Sequence, residues 1–397
     1  MISRLLAAVA CAALLWSQNA DVEKAWKLAS EGQSDQAIRI LEGVIQNGAR
    51  DADARLLLGS LLVEKGDRAG AIEQLSEAVR LRPQSAEAQN ALGEAYNRFG
   101  DTKSARAPFE KAIALNPGFG AAQTNLGLIL VQAGELQSAG QHLDRAIQIL
   151  GHTADAAYPH YLRAKVYSAQ NDAQKAVTHL QEAVSLRPDF AEAWSDLGLA
   201  RKTVLDEAGA LAAYKRAVEL KPTDAVAQYR LGAEYLRAGQ AHAAVEHLEQ
   251  AYRFNPEDQS TLNSLQSALR QDGQSKEASS IRQKLAELLQ KKDQERQNAL
   301  AAVRVNNEGA NLEKAGDLRG AVQKYREALN LNPEHVGIRV NYAVALLRLA
   351  QWTEGLTQLH EALRRDPGNA QIQAAMKDAL AQAPPESVPK WSDADRE

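Results

Sequence analysis

Cysteine is almost missing from this chain: among 397 residues there is one, Cys11. A single cysteine near the start leaves no disulfide framework, no thiolate metal site and no cysteine nucleophile in the rest of the chain. Aromatic residues are also scarce, at 5%, so the core must be built mainly from alanine and leucine. Neither sign of charge is in large excess, with 46 Lys and Arg against 50 Asp and Glu, which gives no electrostatic reason to expect nucleic acid as a partner.

The first twenty residues differ in composition from the rest of the chain. Met1–Arg4 supply a positive charge, and Leu5–Trp16 are twelve consecutive apolar residues. This order is typical of a secretory signal peptide, and twelve residues are fewer than the ~20 that span a bilayer. We therefore predict a signal peptide over residues 1–20 and an exported protein, periplasmic or extracellular. The alternative is a membrane-anchored protein, if residues 1–16 are retained or if Cys11 is lipidated.

One series of prolines recurs at a regular spacing. Its members lie 34, 71, 34, 34, 77 and 34 residues apart, so the period is 34 residues with one insert of three residues and one of nine. The series is Pro83, Pro117, Pro188, Pro222, Pro256, Pro333 and Pro367. Within the period 86–119, Gly100-Asp101 separates two helical patterns and Asn116-Pro117 ends the second. Each period therefore predicts two helices, because glycine ends helices, aspartate caps them and proline stops them.

Small residues occupy the same positions in successive periods. The eighth residue is glycine in six of ten periods, and the twentieth is alanine in nine of ten. Glycine inside a helix costs about 1 kcal/mol relative to alanine, so its recurrence indicates close helix packing. The pattern resembles the tetratricopeptide repeat (TPR) family. The resemblance implies an all-α protein, a right-handed superhelical α-solenoid of about ten helix-turn-helix units. We number these repeats 1 to 10, over residues 18–51, 52–85, 86–119, 120–153, 157–190, 191–224, 225–258, 259–292, 302–335 and 336–369.

The repeats also predict a domain organisation. After the signal peptide, residues 21–292 hold eight repeats and residues 293–301 form a helical linker. Residues 302–382 hold two repeats and a capping helix, since the end of a repeat array needs a cap. The tail 383–397 contains three prolines and is predicted to be disordered. Trp391 in that tail is either a solvated residue or a docking residue.

The segment 275–314 carries no proline and a single glycine, Gly309. It predicts either one helix of forty residues, about 60 Å long, or two helices that meet near Asn306-Asn307. Its apolar spacing does not continue far enough for a coiled coil.

The histidines and glycines do not form a recognisable chemical site in the sequence. His142, His179 and His247 share the twenty-third position of their repeats, on the second helix, which in the TPR family forms the outer surface; we predict that they are solvated and bind no metal. His360-Glu361 lacks the second histidine of a zinc-protease motif, and Gly118-Phe119-Gly120 follows a helix where a dinucleotide loop needs a strand. We therefore predict that the protein is not an enzyme and has no cofactor or metal.

The resemblance also implies where partners bind. In this family the first helices line a concave groove, through the second, fifth, ninth, twelfth and thirteenth positions of each repeat. Asparagine at the sixth position, as in Asn125, Asn307 and Asn341, is common in the family and can hydrogen-bond a peptide backbone. Tyr158 and Tyr161 have the alternative role of packing against the next repeat. The residues predicted to bind a partner are Asn90, Glu94, Asn97, Arg98, Asn125, Tyr158, Tyr161, Lys165, Lys202, Tyr229 and Arg237.

The function that follows is that of a non-enzymatic scaffold, which holds protein or peptide partners in the groove. Lys165 has no asparagine partner in its repeat, so the Lys–Asn pair that grips C-terminal carboxylates in chaperone-binding relatives is missing. A membrane-tethered assembly factor of an envelope complex is the alternative. A recruiting subunit of an enzyme complex is less favoured, because the repeats fill the chain and leave no room for a catalytic domain.

Overall fold

The computed structural model describes residues 19–48 and 50–391, which fall into two compact bodies, residues 19–274 and residues 275–391. Nearly all of the predicted signal peptide, with Cys11, lies outside the described residues. The described chain is helical throughout and contains no strand, as the sequence predicted. None of its helices is both long enough and apolar enough to cross a bilayer.

The first body is a series of antiparallel helix hairpins in which each helix packs on the next. Alanine and leucine from neighbouring helices make up most of its buried core, as the low aromatic content predicts. The helices are α1 (Ala20–Ser30), α2 (Ser34–Gln46), α3 (Ala52–Lys65), α4 (Arg68–Leu81), α5 (Ala86–Arg98), α6 (Thr102–Leu115), α7 (Gly120–Gln132), α8 (Leu136–Leu150), α9 (Ala157–Ala169), α10 (Ala173–Leu186), α11 (Ala191–Thr203), α12 (Glu207–Leu220), α13 (Ala225–Arg237), α14 (Ala241–Phe254) and α15 (Gln259–Gln271). A short 3₁₀ turn, Ala154–Ala156, precedes α9 and accommodates the three-residue insert.

Turns inside the repeats follow one rule. A left-handed residue ends the first helix of each described repeat, and in five repeats an aspartate caps the second helix, as where Asp101 accepts a hydrogen bond from the Ser104 amide at 3.1 Å. Leu205 takes the left-handed position of repeat 6, with φ 63°, although a leucine there costs about 1–2 kcal/mol. Its side chain is 84% exposed. The turn forms without a glycine because Asp206 caps α12, where its carboxylate accepts a hydrogen bond from the Gly209 amide at 2.9 Å.

The eighth and twenty-fourth positions of a repeat touch where its two helices cross. A Cβ atom placed on Gly93 would lie 2.6 Å from a ring carbon of Phe109, which is fully buried. The same glycine contact occurs in Gly59–Leu75, Gly127–Leu143, Gly198–Tyr214 and Gly232–Leu248. The recurring glycine therefore marks the closest approach of the two helices, as its position in the sequence indicated.

The second body begins with one long helix and continues as hairpins. Its helices are α16 (Ser275–Lys314), α17 (Leu318–Leu331), α18 (Val336–Arg348), α19 (Trp352–Arg365) and α20 (Ala370–Gln382). The segment 275–314 is thus a single helix, the first of the two alternatives, and α20 has the bounds of the predicted cap. The compact bodies separate between Gln274 and Ser275, before the predicted linker at residues 293–301, which is helical and lies inside α16.

The expected disorder of the tail does not extend to its described part. Residues through Trp391 pack against the last hairpin, where the Thr353 hydroxyl donates to the Ser387 carbonyl at 2.9 Å. The Trp391 ring stacks on His360 with 4.9 Å between ring centres. Proline content predicted a solvated chain, but the apolar groups of Val388 and Trp391 cover the end of the core. Residues 392–397 lie outside the described chain.

Candidate functional site

The first helices of the first body carry all the residues predicted to bind a partner. Their exposure does not follow register alone, since the ninth position is exposed at Lys165 but part-buried at Glu94. Arg98, Lys165, Lys202 and Arg237, at the ninth, twelfth or thirteenth positions, are exposed, whereas the rest are buried or part-buried. We call this surface the first-helix face. The part-buried or buried residues are Asn90, Glu94, Asn97, Asn125, Tyr158, Tyr161 and Tyr229.

Side chains on this face link some repeats to the next. In these links the fifth position of one repeat hydrogen-bonds the sixth position of its successor, thirty-five residues further along the chain. Asn125 donates to Asn90 at 3.0 Å, and Arg230 donates to Ser195 at 2.8 Å. In the second body, Asn341 donates to Asn306 at 3.0 Å by the same rule. Asn125 and Asn341 therefore brace adjacent repeats, whereas the sequence suggested that they meet a partner's backbone.

Glu94 lies beside this link, in repeat 3. One of its carboxylate oxygens, Oε1, accepts hydrogen bonds from the Asn90 amide at 2.9 Å and from the Asn125 amide at 2.6 Å. Burial raises the pKa of Glu94 above its usual range, although both amide hydrogen bonds act in the opposite direction. Three of the predicted binding residues thus form one polar cluster.

Two predicted cations share one buried carboxylate. Lys202 and Arg237 both contact Glu234, the second at 2.6 Å, and Glu234 is only 4% exposed. Burial alone would raise the pKa of Glu234, but the hydrogen bonds from Lys202 and Arg237 hold it below its usual range. Arg237 also pairs with Glu207. These two cations are therefore neutralised within the chain, which the register of the groove positions could not reveal.

An aromatic group occupies the face at repeat 5. The rings of Tyr158 and Tyr161 stack 6.1 Å apart, and Tyr161 lies 5.0 Å from Phe190. Burial, together with a hydrogen bond to the Asp196 carboxylate, raises the pKa of Tyr161. The Lys165 ammonium lies 5.4 Å from the centre of the Tyr161 ring. The tyrosines thus pack against residues that lead into repeat 6, which agrees with the alternative role of packing against the next repeat.

A cavity of about 440 Å³ lies between α9, α10 and α11, next to this aromatic group. Ala164, Leu180 and Ala200 give it apolar walls. The predicted groove positions of repeats 5 and 6 also line it, including Lys165, Ser168, Leu199 and Thr203. Leu199, which we did not predict, is 45% exposed and stands at the ninth position. Its register alone was a sufficient signal, because Lys165 holds the same position one repeat earlier.

The histidines at the twenty-third position are not simply solvated. Each is part-buried and hydrogen-bonds the fourth position of its own repeat, nineteen residues earlier. The pairs are Gln123–His142 at 2.7 Å, His160–His179 at 3.0 Å and Gln228–His247 at 2.8 Å. Our prediction placed this position on the outer surface, but the side chain reaches back across the hairpin to the first helix. No three metal-ligating side chains converge here or elsewhere in the described ranges.

Sequence models of one family match most of the chain. Models described as tetratricopeptide repeat match residues 22–86, 56–118, 119–189, 161–225, 225–258 and 312–380.

Individual proteins match more narrowly. The peroxisomal targeting signal receptor of Candida albicans is 34% identical over 83 residues, which are 21% of this chain and 14% of the receptor. Protein FlbA of Caulobacter vibrioides is 29% identical over 189 residues, which are 48% of this chain and 30% of FlbA. The chain thus spans less than a third of either relative. The solved structure of PilF from Pseudomonas aeruginosa covers 53% of this chain and 95% of PilF, with a TM-score of 0.50 and 17% identity, a likeness of fold.

Proposed function

This chain belongs to the tetratricopeptide repeat family, and from that premise we propose that it is a non-enzymatic scaffold whose first-helix face binds an extended protein or peptide partner. The observation that supports this proposal is the cavity between repeats 5 and 6, because it opens among side chains at groove positions. Its volume of about 440 Å³ is large enough to admit an apolar side chain of the partner, and ligand pockets fall in the range of about 300–1,000 Å³. The stacked tyrosines beside it pack toward repeat 6 but are only part-buried, and aromatic side chains often anchor interfaces.

The apolar walls indicate what the cavity accepts. A partner side chain that fills it gains about 1.5–3 kcal/mol from burial, which is roughly a tenfold to hundredfold change in affinity. Lys165 at the rim and the pair Asp196–Arg230 nearby provide polar contacts for the partner's backbone. A linear peptide with one anchoring apolar residue fits this arrangement best.

Replacing Leu199 by glutamate is expected to weaken peptide binding about tenfold or more, because it puts a charge at the mouth of an apolar cavity. The measurement is fluorescence anisotropy with peptides selected from a random dodecapeptide display library on the full chain. Leu205→Glu is the matched control, since Leu205 lies in the same repeat, is exposed and is not among the residues that line the cavity. Equal affinities for all three proteins would remove the cavity from partner binding.

We also propose that the chain is exported, on the basis of its first twenty residues. Mass spectrometry of the protein from its native source is expected to find a mature chain that begins near Asp21. A chain that retains Met1 would contradict cleavage and favour the membrane-tethered assembly factor. A lipid adduct on Cys11 would identify a lipoprotein, and neither outcome affects the proposed role of the first-helix face.

A further inference from the structure

The first-helix face contains one desolvated carboxylate that the chain does not neutralise. Three other carboxylates on the first helices of the same body face a cation of the chain. The pairs are Asp53 with Arg82, Asp196 with Arg230, and Glu234 with Lys202 and Arg237. Glu94 has no such pair among the described residues, since its only polar contacts are the amides of Asn90 and Asn125. Its negative charge is therefore available to a partner.

The two oxygens of this carboxylate differ. Both asparagine amides donate to Oε1, which leaves that oxygen with two hydrogen bonds. The other oxygen, Oε2, receives no hydrogen bond from the described residues and is not one of their enclosed polar atoms. It is the single acceptor that Glu94 offers to a partner.

Burial raises the free energy of the ionised Glu94 carboxylate when no counterion is present. The raised pKa of Glu94 has desolvation as its first cause, and the asparagine amides offset only part of it. A cation that binds at Oε2 removes the remaining penalty. The carboxylate is positioned for this by α5 and α7, whose link through Asn90 and Asn125 fixes its rotamer.

Resting on the proposed function, we propose that Glu94 binds the ammonium group of a lysine side chain from the partner peptide. Lysine is preferred to arginine because a guanidinium fork needs both carboxylate oxygens, and Oε1 is already occupied. The nearest exposed cation on the same helix, Arg98, forms no ion pair with Glu94. Partners of this surface therefore carry a lysine at a fixed position in their binding segment.

The experiment uses the random dodecapeptide display library on the immobilised full chain, with sequencing of the enriched peptides. We expect lysine to be enriched at one position relative to the apolar anchor. In anisotropy measurements, exchange of that lysine for norleucine is expected to weaken binding about tenfold, the effect of one charge-assisted hydrogen bond. Exchange for arginine should weaken it less than norleucine does. Glu94→Gln should bind the lysine and norleucine peptides equally.

Glu73→Gln is the matched control, because it removes the same charge from an exposed position on α4. It should discriminate between the two peptides as the unaltered chain does. Glutamine at position 94 still offers an oxygen to both asparagines, so its melting curve should match that of the parent. If this variant unfolds, the norleucine comparison on the unaltered chain still tests the lysine contact.

The outcomes separate this site from the function it rests on. Enriched peptides without a lysine preference, or a Glu94→Gln variant that still prefers lysine over norleucine, overturn the Glu94 site and leave the scaffold intact. A selection that enriches no peptide over bare support overturns the scaffold function and the site with it.

Discussion

Replacing Gly93 by leucine is expected to lower the free energy of unfolding by about 2 kcal/mol. Overpacking of a full core costs about 3 kcal/mol, and the better helix propensity of leucine returns about 1 kcal/mol. The ring of Phe109 occupies the place where the new side chain must start, 2.6 Å from the Cβ position, and Phe109 is fully buried. Thermal and urea unfolding, followed by circular dichroism at 222 nm, measure the loss.

Gly43→Leu is the control, and its expected change in the free energy of unfolding has the opposite sign. Gly43 lies inside α2, and a Cβ atom there meets nothing within 4 Å. Gly43→Leu should therefore raise stability by a few tenths to about 1 kcal/mol through helix propensity alone. If Gly93→Leu unfolds at the same urea concentration as the parent chain, the eighth and twenty-fourth positions do not form the helix crossing.

The alanine repeats suggest a rescue of the Gly93 contact. Repeats with alanine at the eighth position have leucine at the twenty-fourth, as in Ala164 with Leu180. Gly93→Ala combined with Phe109→Leu should therefore lose less stability than the two single changes add up to, which a double-mutant cycle measures.

Hairpins and turns were predictable because each depends on residues close in sequence. Prolines, glycines and aspartates that recur in most periods predict where helices end, and the structure agrees even at Leu205, where the glycine is absent. The recurring small residues predicted the helix crossing because only a close backbone contact explains them. Local signals of this kind add up over ten repeats, so the fold followed from the sequence.

The candidate site was predictable in position but not in its pairings. Register placed Lys202 and Arg237 on the first-helix face, and the structure does expose them. Their partner Glu234 stands at the tenth position, outside the groove register, so an apparently free pair of cations is in fact neutralised. Such pairings depend on side-chain reach between repeats, which periodicity does not encode.

The predictions for the tail and for the histidines were wrong for a related reason. Prolines near residue 385 predicted a solvated chain, but contacts of Trp391 with the last hairpin decide its conformation. Position twenty-three was assigned to the outer surface by family register, yet its side chain returns to position four. A glutamine and a histidine nineteen residues apart can be found in the sequence, but nothing nearby in the sequence shows that their side chains are in contact.

The paired histidines of repeat 5 are expected to make the first body less stable in acid. Their Nδ1 atoms lie 3.0 Å apart, so one ring must donate and the other accept, and both cannot be charged there. Burial, followed by the proximity of His160 and Arg163, lowers the pKa of His179 from 6.5 to about 4. Burial also lowers the pKa of His160, while Glu182 and Asp144 act in the opposite direction.

The sign of the effect follows from which state binds protons more tightly. Between pH 6.5 and about 4 His179 binds a proton in the unfolded chain but not in the folded chain. The free energy of unfolding therefore keeps its full value above pH 6.5 and decreases as the pH falls through this window. A shift of this size corresponds to about 3 kcal/mol, which solvent screening reduces to roughly 2 kcal/mol. Urea unfolding at pH 7.5 and pH 5 measures the difference.

Two variants built from the chain's own pairs separate this cause from general acid effects. His160→Gln reproduces the Gln–His pair of repeats 4 and 7 and should reduce the acid loss of stability by about half, since it removes one of the two titrating rings. His160→Arg with His179→Gln reproduces the pair Arg55–Gln74, 2.6 Å apart, and should remove the contribution of repeat 5 altogether. The same acid sensitivity in the double variant as in the parent chain would show that other groups are responsible, and that the histidine pair only joins the two helices.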